Sequence, residues 1–121
     1  MIKNKRTNIE KWKELVNKKA QQIEENRKIV IKQLYDALDV LSNQYIWQEI
    51  YIFGSLIEKD RFRLNSDVDI AVKGLNKFLH FQFTAQLSTL LERDVDVVIL
   101  EDNCIFKQEI INKGIKWKKK L

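Results

Sequence analysis

The sequence predicts an α+β (α/β) domain, in which a small mixed sheet is flanked by helices and a long helix comes first. Two observations predict this fold. The first third of the chain repeats apolar residues at helical spacing. Three later segments are short runs of β-branched and aromatic residues, separated by helical patterns. With 121 residues, the chain fits a single domain (1–121), with a helical region over 8–41 and a core over 49–117.

The N-terminal pattern predicts one long amphipathic helix, or two in succession, with Thr7 or Asn8 as the N-cap. We expect Trp12 and Trp47 to pack in the core or between helices. The apolar positions of the stripe are Trp12, Leu15 or Val16, Ile23, Val30, Leu34, Ala37 or Leu38, and Leu41.

The first strand is predicted over 49–53, where it stops at the Gly54-Ser55 turn. A charged segment (56–65) follows, and a second strand is predicted over 67–72. Three further elements follow, before a final edge strand. They are a helix over 76–92, a third strand over 94–100 that is β-branched enough to be central, and a helix over 104–112 that ends at Gly114. An edge strand over 115–117 closes the chain.

Composition excludes several classes of protein. No apolar run is long enough to span a membrane, and residues 1–6 lack the apolar stretch of a secretory signal, so we expect a cytoplasmic protein. The single Cys104 excludes an internal disulfide and a multi-cysteine zinc site, and we expect it to be structural. The net charge of +5 comes from basic ends that flank an acidic middle, so it is weak evidence for nucleic-acid binding.

The candidate chemistry lies at the strand ends. Asp67 and Asp69 are two residues apart and therefore point to the same face of a strand, where two carboxylates favour a hard divalent cation. Asp96 or Asp94 of the third strand reaches the same place if that strand pairs beside the second. Gly54 lets the backbone approach a phosphate, to which backbone amides and the Ser55 hydroxyl donate hydrogen bonds. The alternative interpretations are a solvated strand edge and an ordinary turn serine.

The segments Phe53-Gly54-Ser55 and 66–72 (Ser-Asp-Val-Asp-Ile-Ala-Val), followed by Val95-Asp96-Val97-Val98, resemble the signature of the minimal nucleotidyltransferases, which have a DNA-polymerase-β-like fold. The resemblance runs from about residue 50 to 117 and implies that 49–117 is the catalytic core. It implies that Asp67, Asp69 and Asp96 are catalytic metal ligands for one or two Mg²⁺ ions. It also implies that Gly54, Ser55 and Ser66 bind the nucleotide, with ATP as substrate.

One departure from the family pattern lies between the motifs. Eleven residues separate Ser55 from Asp67, where the family commonly has ten, and the usual glycine of that loop is absent. We expect a local bulge rather than the loss of the site. Arg61 and Arg63 of this loop are candidates for triphosphate contact, and a solvated loop is the alternative.

Within this family, the sequence resembles the antitoxins of HEPN/MNT toxin–antitoxin pairs. The resemblance implies a HEPN-type toxin as partner and transfer of AMP to a tyrosine of that toxin. A small-molecule or RNA acceptor is a second hypothesis, and a catalytically silent binding module is a third. His80 has no visible catalytic partner in the sequence, so we expect it to be a surface or half-buried helix residue.

Overall fold

The computed structural model describes residues 7–102 and 105–118. Its helices and strands follow one another in the order that the sequence predicts, and two short 3₁₀ turns (Gly54–Ile57 and Lys77–Leu79) lie between them. In chain order the elements are α1 (Asn8–Leu41), β1 (Glu49–Phe53), β2 (Val68–Lys73), α2 (His80–Leu91), β3 (Val95–Ile99), α3 (Lys107–Lys113) and β4 (Ile115–Lys116). No helix in these ranges is both long and apolar enough to cross a membrane.

The four strands form one mixed sheet in the order β3-β2-β1-β4. β1 is antiparallel to both β2 and β4, and β2 is parallel to β3. β4 confirms the predicted edge strand, but the prediction that the third strand is central is wrong, because β3 is the other edge. Its β-branched residues pack on both faces of the sheet. Val97 is buried in the main core with Val95 and Ile99 beside it, and Val98 adjoins the second cluster, which contains Ala71.

A single helix, α1, forms the N-terminal region. The Thr7 hydroxyl accepts a hydrogen bond from the Glu10 amide at 3.1 Å, and the Glu10 carboxylate accepts one from the Thr7 amide. This capping box satisfies free amides of the first turn and starts the helix at Asn8.

The core contacts the later turns of α1, where Val30 to Leu41 include the buried residues and Ile23 is half-buried against them. The core prediction for Trp12 is wrong, since this side chain lies earlier in the helix and is 67% exposed. Trp47 is half-buried, with its ring centroid 5.8 Å from that of Phe83 and 5.6 Å from that of Trp117. Trp117 is buried in the core.

The two faces of the sheet are covered unequally. On one face, α1 and α2 pack against alternate residues of the strands, including Ile52, Ile70 and Val97, and form the main core. On the other face, α3 packs through Ile110 against Tyr51 and Ala71. Within residues 7–102 and 105–118 no other helix packs on this second face, which is called the open face below.

Residues 58–66 form a loop that is fastened to the main core by Phe62. This side chain has no exposed surface, and the Arg93 guanidinium lies 5.7 Å from the centroid of its ring. Backbone hydrogen bonds close the loop on itself, from Phe62 to the Glu58 carbonyl and from Ser66 to the Arg63 carbonyl. The loop that departs from the family pattern is thus held in place by an apolar anchor.

Replacing Phe62 with alanine is expected to lower the free energy of unfolding by about 3–5 kcal/mol, because it leaves a large cavity in the core. Urea denaturation measures the change. Phe78→Ala is the matched control: Phe78 is 95% exposed, so its loss should change stability by less than about 0.5 kcal/mol. Equal losses in both variants would contradict the anchoring role of Phe62.

α3 begins at Lys107 and ends just before Gly114, and this end is the predicted one. The predicted start of this helix, and Cys104 with it, lies outside the described residues.

Candidate active site

Three carboxylates are carried by the open face of the sheet. Asp69 lies in β2 and is paired in register with Asp96 of the parallel strand β3. Asp67 precedes β2 and lies two residues before Asp69, so strand alternation places it on the same face. The structure therefore brings Asp67, Asp69 and Asp96 to one side of the β2–β3 pair, as the spacing predicted.

Asp69 is the innermost of these groups. It is half-buried, whereas Asp67 and Asp96 are exposed. Burial raises the pKa of the Asp69 carboxyl, and the negative charges of Asp96 and Asp67 raise it further. A carboxylate that is both desolvated and surrounded by like charge is stabilised by a cation placed among the three groups.

Gly54 brings the backbone directly against Asp69. It follows β1, where Phe53 is the register partner of Asp69 across the β1–β2 pair. Its φ of +78° is the left-handed conformation, and a Cβ added here would overlap the Oδ2 atom of Asp69. Only glycine allows both this backbone conformation and this close approach.

The two candidate serines lie in different surroundings. Ser55 follows Gly54 in the 3₁₀ turn and is half-buried. The Ser66 hydroxyl accepts a hydrogen bond from the Arg63 amide at 2.8 Å, so it organises the loop before Asp67. Binding of nucleotide by Gly54, Ser55 and Ser66 stays a prediction.

Arg93 is a residue of the site that the sequence reasoning missed. Its guanidinium donates a hydrogen bond to the Ser66 carbonyl at 2.6 Å, next to Asp67 in the chain. The Arg93 carbonyl in turn accepts a hydrogen bond from the Ser88 hydroxyl of α2 at 2.7 Å. Arg93 therefore links the end of α2 to the loop that leads into Asp67. A basic residue just before the third strand was the available signal, but its partner is distant in sequence.

The remaining polar candidates are placed as follows. His80 is half-buried at the start of α2, as expected, and its Nε2 atom lies 2.7 Å from the Val97 carbonyl. Arg61 forms an ion pair with Glu58 at 2.6 Å. Arg63 donates hydrogen bonds to the carbonyls of Asp60 and Phe62. Contact of Arg61 or Arg63 with a triphosphate stays a prediction.

The carboxylates fit a hard divalent cation by the chemistry of their donors, which are all oxygen atoms on one face. Within residues 7–102 and 105–118, no three His, Cys, Asp or Glu side chains are already gathered closely enough to hold a metal ion.

Asp94 is the rival of Asp96, because both are exposed and lie on the same side of β3 by alternation. Asp96 is in register with Asp69, whereas Asp94 precedes the strand and its carbonyl accepts a hydrogen bond from the Val68 amide at 3.0 Å. A groove at the edge of β3 is lined by Asp67, Asp94 and Asp96 together. Register favours Asp96 as the third ligand.

We expect Asp96→Asn to reduce nucleotidyl transfer by about 10²-fold and Asp94→Asn to reduce it by less than about threefold. Only Asp96 lies opposite Asp69, and the loss of one group that stabilises charge costs roughly that factor. Steady-state rates at saturating Mg²⁺ provide the measurement. The reverse order of effects would assign the third carboxylate to Asp94.

A sheet with a Gly-Ser turn after one strand and three carboxylates on two neighbouring strands defines the nucleotidyltransferase class of the DNA-polymerase-β type. The chain belongs to the polymerase beta nucleotidyltransferase family, whose model matches residues 36–120. The first part of α1 lies outside this match. A comparison with curated protein sequences gives no significant match.

Solved structures similar to the chain include toxin–antitoxin complexes. One was solved with AMP-PNP and has 28% sequence identity and a TM-score of 0.59, over 71% of this chain and 73% of that chain. Two others are mutant forms of a toxin–antitoxin pair named MntA-HpeT. One has 27% identity and a TM-score of 0.51, over 78% of this chain and 73% of that chain. The other has 28% identity and a TM-score of 0.50, over 77% and 72%.

Proposed function

We propose that the protein is a Mg²⁺-dependent nucleotidyltransferase that transfers AMP from ATP to a protein, a tyrosine of a HEPN-type toxin, and thereby acts as its antitoxin. The observation that carries the proposal is the approach of Gly54 to Asp69 beside two further carboxylates on the open face of the sheet. A glycine turn suits a phosphate, and the carboxylates suit the cation that accompanies it. The cytoplasm, where ATP and Mg²⁺ are abundant, is the proposed location.

In the proposed reaction, the acceptor hydroxyl oxygen forms a bond to the α-phosphorus of ATP. The bond from that phosphorus to the oxygen that bridges it to the β-phosphate breaks, and pyrophosphate leaves. Asp67, Asp69 and Asp96 would hold Mg²⁺, which would supply neutralisation of charge on the phosphates and a lower pKa for the attacking hydroxyl. Asp96, the exposed ligand on β3, would also accept the proton of that hydroxyl.

In the proposed reaction, the main role of the protein is to position the reacting groups. Backbone amides of the Gly54-Ser55 turn and the Ser55 hydroxyl donate to the phosphate oxygens that flank the reacting phosphorus. Arg93 fixes the chain before Asp67 through the Ser66 carbonyl. The transfer needs little covalent chemistry from the enzyme, which is consistent with a site made of one turn and two strands.

Two features support a protein acceptor. The similar complex that was solved with AMP-PNP is a toxin–antitoxin pair, and AMP-PNP is an analogue of ATP. In addition, α3 is the one described helix that packs on the open face of the sheet, which leaves room for a partner protein beside the site. A small-molecule or RNA acceptor would use the same residues. A silent binding module would not need the three carboxylates.

The experiment combines the purified protein, Mg²⁺ and the candidate toxin with ATP labelled at either the α- or the γ-phosphate. The comparison protein is the double variant Asp67→Asn/Asp69→Asn. We expect the α-label, and not the γ-label, to appear on the toxin, and only with the unaltered protein. A Tyr→Phe series in the toxin then identifies the acceptor side chain.

Each other outcome selects an alternative. Transfer of the γ-label would indicate a kinase reaction and overturn the proposal. Labelling of RNA in place of the toxin would identify RNA as the acceptor. Protection of cells by the double variant, equal to that given by the unaltered protein, would establish the silent binding module.

A further inference from the structure

The N-terminal half of α1 carries an apolar stripe, here called the α1 stripe, that continues the core-facing side of the helix. It consists of Ile9, Trp12, Val16, Ala20 and Ile23. Its helical spacing is in phase with Val30, Leu34 and Leu41, which are buried in the core. Ile23 packs beside the core, whereas the four earlier members are exposed. The side of the helix that packs inside the domain therefore extends into solvent.

This exposure leaves the first half of α1 without the packing that normally stabilises a helix. Residues 8–29 include no buried side chain, and they form about 30 Å of helix ahead of the core. In proteins most helical stability comes from packing of an amphipathic face, and contiguous apolar surface marks an interaction site. The stripe precedes residue 36, where the family match begins, so it is not part of the shared catalytic core. It has the properties of a docking surface.

The α1 stripe forms one wall of a groove of about 470 Å³, and the loop 58–66 forms the other. Trp12, Val16 and Ile23 contribute the apolar wall, and Lys59 and Arg63 are among the loop residues that face it. The three carboxylates of the candidate active site do not line this groove. A partner held here therefore leaves that site open.

The groove carries an excess of positive charge. Its charged lining residues are Lys19, Lys59, Arg63, Glu24 and Asp60. Glu24 is already paired with Arg27 at 2.9 Å. Within residues 7–102 and 105–118, Lys19 and Lys59 have no ion-pair partner. Uncompensated cations beside an apolar wall favour a partner that is acidic as well as apolar.

An amphipathic helix with acidic flanks is the occupant that fits these features. Apolar residues at helical spacing pack well against another helix, whose ridges enter the grooves between them. A second copy of this chain would bring its own Lys19 and Lys59 to the contact and add like charge. A lipid surface would need a flat apolar face, whereas the loop 58–66 forms a wall beside the stripe and Glu24 and Asp60 line the groove.

We propose that the α1 stripe and the groove beside it bind an acidic amphipathic helix of the toxin partner. The inference rests on the proposed function for the identity of the partner and adds the surface that holds it. Docking and chemistry then use different residues, since the groove holds the toxin and the open face of the sheet modifies it.

The test measures the affinity of the full chain for the purified candidate toxin by isothermal titration calorimetry without ATP. Trp12→Ala removes the largest side chain of the stripe, and Lys59→Glu reverses a charge of the groove. Both residues are exposed, so neither change disturbs the core. We expect Trp12→Ala to weaken binding by at least about tenfold, as is usual for a tryptophan at the centre of an interface. Lys59→Glu should weaken it by about fivefold at low salt and by less at high salt.

The transfer reaction provides a second readout. Each variant should raise the KM for the toxin and leave kcat within about twofold, because the loss affects binding and not the reacting groups. Phe78→Ala is the control for Trp12→Ala, since Phe78 is an exposed aromatic residue that does not line the groove. Lys32→Glu is the control for Lys59→Glu, since Lys32 is exposed on the opposite side of α1. Both controls should bind the toxin like the unaltered protein.

Four outcomes would overturn the inference and leave the proposed function standing. They are unchanged toxin affinity in both variants, a lower kcat at an unchanged KM, a loss with Trp12→Ala that Lys59→Glu does not share, and dimers of the chain alone that Trp12→Ala abolishes in sedimentation equilibrium. A toxin that binds the unaltered protein, is released by both variants and yet receives no AMP would support the docking surface and overturn the proposed transfer.

Discussion

The Asp69→Asn variant is expected to lose nucleotidyl transfer by at least about 10³-fold and to melt at a higher temperature than the unaltered protein. The activity falls because Asp69 is the central carboxylate of the three and faces the phosphate turn. The stability rises because an amide removes a negative charge that is half-buried and repelled by Asp67 and Asp96. A gain of roughly 0.5–2 kcal/mol is the usual size when a strained functional group is relieved.

Thermal melts with and without Mg²⁺ and ATP test both parts of this prediction. The unaltered protein should melt higher when the two ligands are present, because ligands that bind the folded state stabilise it. The Asp69→Asn variant should have a higher melting temperature without ligands, and Mg²⁺ and ATP should raise it little further. Asp36→Asn, which makes the same chemical change at an exposed position of α1, is the control and should respond like the unaltered protein. A variant that melts lower, or that keeps its transfer activity, would contradict the role assigned to Asp69.

Gly54→Ala is the second change with a large expected effect. Alanine at a φ of +78° is strained, and its Cβ would overlap the Oδ2 atom of Asp69, so either the turn or the carboxylate must move. We expect a loss of about 1–3 kcal/mol in the free energy of unfolding and a loss of transfer of at least about 10²-fold. Displacement of a reacting group by about 1 Å is enough for a loss of that size.

Gly74→Ala separates the two effects. Gly74 also has a positive φ, +86°, and an added Cβ would lie 2.6 Å from the Cγ atom of Gln48. It follows the far end of β2, away from Asp69. This variant should lose similar stability and yet keep its transfer rate at a temperature where it is folded. If both variants lost activity in proportion to their stability, the special role of Gly54 at the site would be contradicted.

Local patterns predicted the elements and the positions of the carboxylates. The runs at 49–53 and 67–72 became β1 and β2 within a residue of the predicted ends, because strand residues and glycine turns carry their own conformational preferences. The i, i+2 spacing of Asp67 and Asp69 fixed their common face, since alternation along a strand depends on the backbone alone.

What the sequence did not reveal depends on contacts between distant segments. β3 is an edge strand because it pairs with β2 alone. A strand with one neighbour can have the same β-branched composition as a strand with two, so composition did not reveal this position. The exposure of Trp12 follows from where the core ends along α1, which the helical period does not indicate. The bond from Arg93 to the Ser66 carbonyl joins residues 27 positions apart, and no local pattern indicates it.

The parallel pairing of β2 with β3 also has a consequence for the order of folding. Parallel strands cannot be joined by a tight turn, so Asp69 and Asp96 meet only after α2 has crossed over the sheet. The antiparallel β1–β2 pair, and with it the contact of Gly54 and Asp69, requires no such crossover. A chain emerging from the ribosome thus completes the phosphate turn before it completes the carboxylate set, and the repulsion among the three charges arises only when β3 pairs with β2.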